Sequence, residues 1–275
     1  MRIKALLKKN RIIFFIVKFI KIRVLKINSE IDMILLKKLK LKTSIDIGSN
    51  YGSYSSILRK NSRNVISVEP NTLIIEFQKR ILGNKNIIFE NVAIGEIDKK
   101  VALNIPFKNK IPVYEEAFIS DSALNKNSLS VNQKNGDNLF FDIDNIDFIK
   151  IDVEGYENKV VKSLINIIKS KKPILLIEIE SRHSSDVEIS NLIDFLYNMD
   201  YIFYYMINGK KLKRIKKIDF DWISKIQNEH NYNNDSKKSI YYTKSNKNYI
   251  NNFWCINKMR ENENVFKQFG ISFKN

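Results

Sequence analysis

The stretch Asp46-Ile47-Gly48-Ser49-Asn50-Tyr51-Gly52 constrains the fold of this chain more than any other feature. It follows a short run ending at Ile47 and opens a helix expected over 53–60. A strand, a glycine turn and a helix in that order let backbone come close to a nucleotide-like ligand. Glycine serves there because it takes positive φ and has no Cβ to hold a ligand away. The next apolar run, Val65 to Val68, ends at Glu69. An acid about 20 residues past such a turn, at a second strand end, is where a ribose hydroxyl pair is held.

The rest of the chain alternates between two periods. Strands are expected at Ile87 to Glu90, Asp147 to Val153, Ile174 to Ile179, Tyr201 to Met206 and Asn252 to Ile256. Helices are expected at 30–42, at 72–82 with Asn71 as N-cap and Gly83 as stop, at 156–170 and at 187–199. Val101 to Ile105 reads as an added strand, 120–136 as polar loop, and 208–250 as a basic, Asn-rich irregular excursion. Alternating β and α with short connections implies an α/β fold with a doubly wound, mostly parallel sheet and helices on both faces. The expected organisation is a basic helical segment over 1–42, one domain over 43–258 with its insertion at about 208–250, and a tail over 259–275.

Charge is concentrated at the start. Residues 1–29 hold nine Lys or Arg and no acid; without these nine the net charge of +17 falls to +8. Apolar residues there recur at helical spacing, but the longest unbroken apolar run, Ile12 to Val17, is too short to span a bilayer. Two readings stand: a helix lying on anionic lipid at the inner face of the membrane through residues 1–27, or a helix docked on its own domain or a second subunit. Cys255 is the only cysteine, so no intrachain disulfide forms; that usage fits a cytoplasmic protein.

Two strands break the rule that a central parallel strand is apolar on both faces. In Phe148-Ile149-Lys150-Ile151-Asp152-Val153-Glu154-Gly155, Lys150 and Asp152 share one face, as Glu178 and Glu180 do in the next strand. If the strands are neighbours, Lys150 pairs with Glu178, and Asp152 meets Glu180 at the carboxyl edge where ligands bind. Buried charge is costly unless well paired, so this cluster marks either a structural ion pair or a site. Asp152, Glu154, Glu180 and His183 are the candidate bases. Asp152, Glu154 and Glu180 together would also suit Mg²⁺, although no metal site is assigned.

Four blocks in order, Asp46 to Ser55, Val68-Glu69-Pro70-Asn71, Asn91 to Gly95 and Ile149 to Glu157, resemble the FkbM family of S-adenosylmethionine-dependent methyltransferases. The resemblance runs from about residue 43 to 206. It implies a Rossmann-like class I methyltransferase fold, doubly wound with a last antiparallel strand, and S-adenosylmethionine as cofactor. Asp46, Gly48, Asn50 and Gly52 would lie around its methionine end, Glu69 on its ribose and Ala93 near its adenine. It implies O-methylation of a sugar hydroxyl on a glycan or glycolipid acceptor; the charged residues Asp152, Glu154, Lys150, Glu180 and His183, read from the strands themselves, are the candidate catalytic set. Family members often carry a histidine two residues after the position of Glu178, where this chain has Glu180.

Other function classes fit less well. Asp142-Ile143-Asp144 is a D-x-D that a glycosyltransferase could use, but it precedes a strand. The Asn/Asp-Pro-Pro-aromatic block of nucleic-acid methyltransferases is absent after the fourth strand, so no nucleic-acid partner is expected. A non-catalytic, membrane-associated binding module would tolerate loss of Asp46 and Glu69.

Overall fold

The computed structural model describes residues 32–121, 124–207, 211–231 and 250–260. The basic segment of residues 1–27 and the tail beyond 260 lie outside them. Elements follow in the order α1 (Asp32–Leu36), β1 (Leu41–Ile47), α2 (Ser53–Asn61), β2 (Ser62–Val68), α3 (Thr72–Leu82), β3 (Ile87–Glu90), β4 (Ala93–Gly95) and β5 (Lys99–Asn104). Next come β6 (Phe107–Lys108), β7 (Ile111–Pro112), β8 (Phe118–Ser120), β9 (Ser128–Asn135), α4 (Gly136–Leu139) and β10 (Ile146–Ile151). The last are α5 (Glu157–Ser163), α6 (Ile165–Lys171), β11 (Ile174–Glu178), α7 (Asp186–Asn198), β12 (Tyr201–Ile207), β13 (Lys211–Arg214), α8 (Phe220–Asn231) and β14 (Asn252–Asn257).

The main sheet has the order β13-β12-β14-β11-β10-β1-β2-β3. β3, β2, β1, β10 and β11 run parallel. β14 runs antiparallel, wedged between β11 and β12, and β13 pairs antiparallel with β12 at the edge. Its central strands are buried on both faces, as a covered sheet requires. On one face, Tyr54, Leu58, Ile74 and Ile81 of α2 and α3 pack with Phe148, Leu176 and Trp254. On the other, Val160, Leu164 and Ile168 pack with Ile149, Ile177, Leu192 and Phe253. Strand order reverses between β1 and β10, which opens a crevice at their carboxyl ends.

Four expectations are corrected. The helix at 156–170 is two helices broken at Leu164, because Asp137 of α4 accepts the backbone N–H groups of Asn166 and Ile167 and caps a fresh start. The helix at 30–42 stops at Leu36, and β1 begins at Leu41. The loop at 120–136 contains β9, which pairs with β5 from Lys99↔Gln133 to Asn104↔Ser128. The excursion at 208–250 is not irregular where described: it forms β13 and α8 and buries Leu212, Ile215, Ile218 and Ile223. No helix among the described residues is long and apolar enough to cross a membrane.

Candidate active site

Gly48 sits at the reversal point. Its φ is +75°, and a Cβ there would lie 1.7 Å from the carbonyl oxygen of Asp152. Glycine is therefore demanded by two strand ends meeting. The Gly48 and Ser49 amides both donate to the Val68 carbonyl (3.1 and 3.0 Å), and Asp152 N donates to the Ile47 carbonyl (3.1 Å), which carries the β1 pairing past its end.

Glu69 follows β2 and is buried. Its Oε2 accepts from Asn50 N (2.9 Å) and its Oε1 from Asn71 N (2.8 Å). Burial nonetheless pushes its pKa up to about 7, against the pull of these two amides. Glu69 lines a cleft enclosing about 640 Å³, part of it open to solvent, together with Gly48, Asn50, Val68, Pro70, Val92, Ala93, Asp152 and Glu154. Leu103 of β5, Ile119 of β8, and Tyr114 and Ala117 from the segment that follows β7 complete its lining. Of these segments only β5 had a sequence signal, the alternation after Val101.

Asp46 and Gly52 do not reach the cleft surface. Asp46 is fully buried; its Oδ2 accepts from Ser55 Oγ (2.6 Å), and its backbone pairs opposite Lys150. Burial raises its pKa, with the Lys150 charge acting the other way. Gly52 leads into α2 at φ +80°, and a Cβ there would meet Leu82 at 3.0 Å and the Gln78 carboxamide at 3.1 Å. Both residues support the turn from behind.

Across Asp152 and Glu154 the cleft adjoins a small pocket lined by Asp152, Glu154, Gly155, Glu157, Glu178, Glu180 and His183. The expected Lys150–Glu178 pair does not form as drawn. The register sets Lys150 opposite Leu176 and Ile151 opposite Ile177, so the next step brings Asp152 level with Glu178. Lys150 instead reaches forward to Asp152 Oδ2 (2.6 Å) and lies 4.5 Å from the centre of the Tyr54 ring. Burial disfavours the Asp152 charge, but Lys150 and a hydrogen bond with Glu178 outweigh it and hold Asp152 below its ordinary pKa. Burial, then the Asp152 charge, drives the Glu178 pKa well up, so Glu178 carries the proton between them. Asn251 Nδ2 donates to Glu178 Oε1 (2.5 Å) and Glu180 Oε1 (3.2 Å).

His183 Nδ1 lies 2.6 Å from Glu154 Oε2, and Nε2 lies 4.0 Å from Glu180 Oε2. The hydrogen bond to Glu154 raises the histidine pKa. Glu180 also meets Arg182. The strand-end loop is pinned: Glu154 takes φ 54°, and Glu157 Oε1 accepts from Val153 N (3.2 Å) and Gly155 N (3.1 Å). Glu157 was not singled out by sequence reasoning. Among the described residues no three His, Cys, Asp or Glu side chains are placed to hold a metal ion. Asp142 and Asp144 are exposed ahead of β10, at the sheet edge opposite the cleft.

Strand order, glycine turn and acid-ended second strand define a class I methyltransferase domain. The family model of the methyltransferase FkbM domain matches residues 46–203, more than half the chain. The chain belongs to that family, whose class of methyltransferase uses S-adenosylmethionine as cofactor. Similar solved structures include the methyltransferase FkbM of Methylobacillus flagellatus KT, at 18% identity and TM-score 0.43, covering 65% of this chain and 46% of that one. A precorrin-6y C5,15-methyltransferase of Geobacter metallireducens GS-15 aligns at 10% identity and TM-score 0.38, covering 81% and 85%. A SAM-dependent O-methyltransferase of Thermotoga maritima aligns at 10% identity and TM-score 0.37, covering 70% and 60%. The match thus spans less than half the length of the first of these. No curated protein matches the chain.

The cleft suits the cofactor on its own chemistry. Asn50 Oδ1 is buried without a hydrogen-bond partner, an acceptor for an ammonium group. Glu69 offers carboxylate lone pairs to a diol, and Val68, Val92, Ala93 and Ile119 offer an apolar berth for a base.

Proposed function

We propose that this chain O-methylates a sugar hydroxyl on a glycan or glycolipid precursor, using S-adenosylmethionine. One observation carries the reading: Asp152 and Glu154 line both the cofactor cleft and the pocket that contains His183. Two reactants held on either side of that ridge would meet there. Holding them aligned removes roughly 7–11 kcal/mol of barrier.

S-adenosylmethionine supplies the activated methyl group. Glu69 would accept its ribose hydroxyls, and Asn50 Oδ1 its ammonium. The acceptor hydroxyl is a weak nucleophile, and His183 is the base that receives its proton. Glu154 fixes the histidine through Nδ1, which leaves Nε2 free to take the proton, and stabilises the cation that results. Lys150 and the proton on Glu178 keep Asp152 anionic, which favours positive charge near the reacting centre. Glu180, Asn251 and Arg182 give polar partners for further hydroxyls of a sugar ring.

The substrate is tested by incubating the protein with labelled S-adenosylmethionine and host extracts fractionated into carbohydrate, lipid and nucleic acid. Label in carbohydrate or glycolipid is expected; label in nucleic acid would overturn the reading. On the same reading residues 1–27 would contact anionic lipid at the inner membrane face. Flotation with anionic liposomes should then recover the full chain but not a chain lacking those residues; equal recovery would count against it.

A further inference from the structure

Gln78 of α3 is fully buried and does not line the cleft, yet its carboxamide is saturated with partners. Oε1 accepts from Ser67 Oγ (2.7 Å), while Nε2 donates to Ser49 Oγ (2.7 Å) and to the Asn50 carbonyl (2.5 Å). Ser55 Oγ lies 3.0 Å from Ser67 Oγ and donates to Asp46 Oδ2, so the chain of bonds runs from Asp46 under the glycine turn to Asn50. Gly52 belongs to the same device, since a Cβ there would press on the Gln78 carboxamide.

The geometry of Asn50 gives this network a purpose. Asn50 takes φ 48°, a left-handed conformation that few residues with a side chain adopt and that Asn tolerates. In that conformation its carbonyl meets Gln78 and its amide meets Glu69 Oε2. We infer that Gln78 is a positioning residue for the cofactor: by holding the Asn50 carbonyl it fixes the backbone conformation of Asn50, whose amide holds the Glu69 carboxylate and whose side chain lines the cleft. This role rests on the assignment of the cleft to the cofactor. It explains why a fully buried helix position carries an amide where an apolar residue would serve packing, since buried amides are costly unless every polar atom is bonded.

The test compares wild type with Gln78→Met, which keeps length and loses the hydrogen bonds. Hydrogen exchange of the Asn50 amide is read in the free protein, and S-adenosylhomocysteine affinity is read by calorimetry. Gln78→Met is expected to speed exchange at Asn50 and weaken affinity about tenfold, with kcat at saturating cofactor within about twofold. Should Gln78→Met fail to fold, Ser49→Ala is expected to show the same pattern at about threefold. Unchanged exchange and affinity, or affinity and kcat falling together with the folded fraction, would overturn the role. Failure of wild type to bind S-adenosylhomocysteine would overturn both the role and the cleft assignment.

Discussion

The cofactor cleft and the neighbouring pocket lie side by side at one sheet edge but are built from different materials. The cofactor end of the cleft is set by backbone: Gly48 without a side chain, amides on Glu69, the Asn50 carbonyl held by Gln78. The pocket is lined by ionisable side chains in contact with one another, Asp152, Glu178, Glu180, His183 and Glu154, with Lys150 held against Asp152. Backbone geometry recognises a fixed ligand, whereas coupled side chains tune proton transfer and can change with the acceptor. Substitutions should therefore separate into those that alter cofactor affinity and those that alter turnover and its pH profile.

Gly48→Ala should have the largest effect and collapse the distinction, because the new methyl group would strike the Asp152 carbonyl and the left-handed φ would be strained. Loss of more than ~3 kcal/mol of stability is expected, measured by denaturant melts. His183→Ala should lower kcat by about 10²–10⁴ with cofactor affinity intact, read from steady-state kinetics and calorimetry. Glu69→Gln should do the reverse, weakening S-adenosylhomocysteine about tenfold.

Glu69 also predicts a pH dependence. Its folded pKa of about 7 lies above its ordinary 4.5. The stability it contributes is therefore complete below about 4.5 and is lost as pH rises through about 7. Cofactor affinity should move the opposite way, rising as Glu69 ionises and becomes a pure acceptor; Glu69→Gln should flatten that rise. The smallest effect is expected from Glu178→Gln, since an amide N–H replaces the carboxyl proton given to Asp152 and its oxygen still accepts from Asn251. Thermal melts near neutrality should differ little, whereas Asp152→Asn removes the carboxylate charge 2.6 Å from the buried Lys150 and should melt earlier.

The same contrast explains what could be read from sequence. The glycine turn, Glu69 and α3 with its Asn71 cap were legible because each is signalled by residues close in the chain. The pocket was legible only as a charge anomaly in β10 and β11. Its pairing was misread because a two-residue offset decides whether Lys150 meets Glu178 or Asp152, and offsets between parallel strands leave no local mark. β9 was missed because Ser, Asn and Lys are poor strand formers, held there by pairing with β5. Gln78 was hidden within an apolar helix period, and its partners lie on two other segments, β2 and the glycine turn.

The decisive measurement is a crystal structure of the protein with S-adenosylhomocysteine. The ligand should lie in the cleft with its ribose hydroxyls on Glu69 and its sulfur directed at the ridge of Asp152 and Glu154 that the His183 pocket shares. A ligand bound elsewhere, or one whose sulfur faces away from that ridge, would contradict the union of cleft and pocket into one active site.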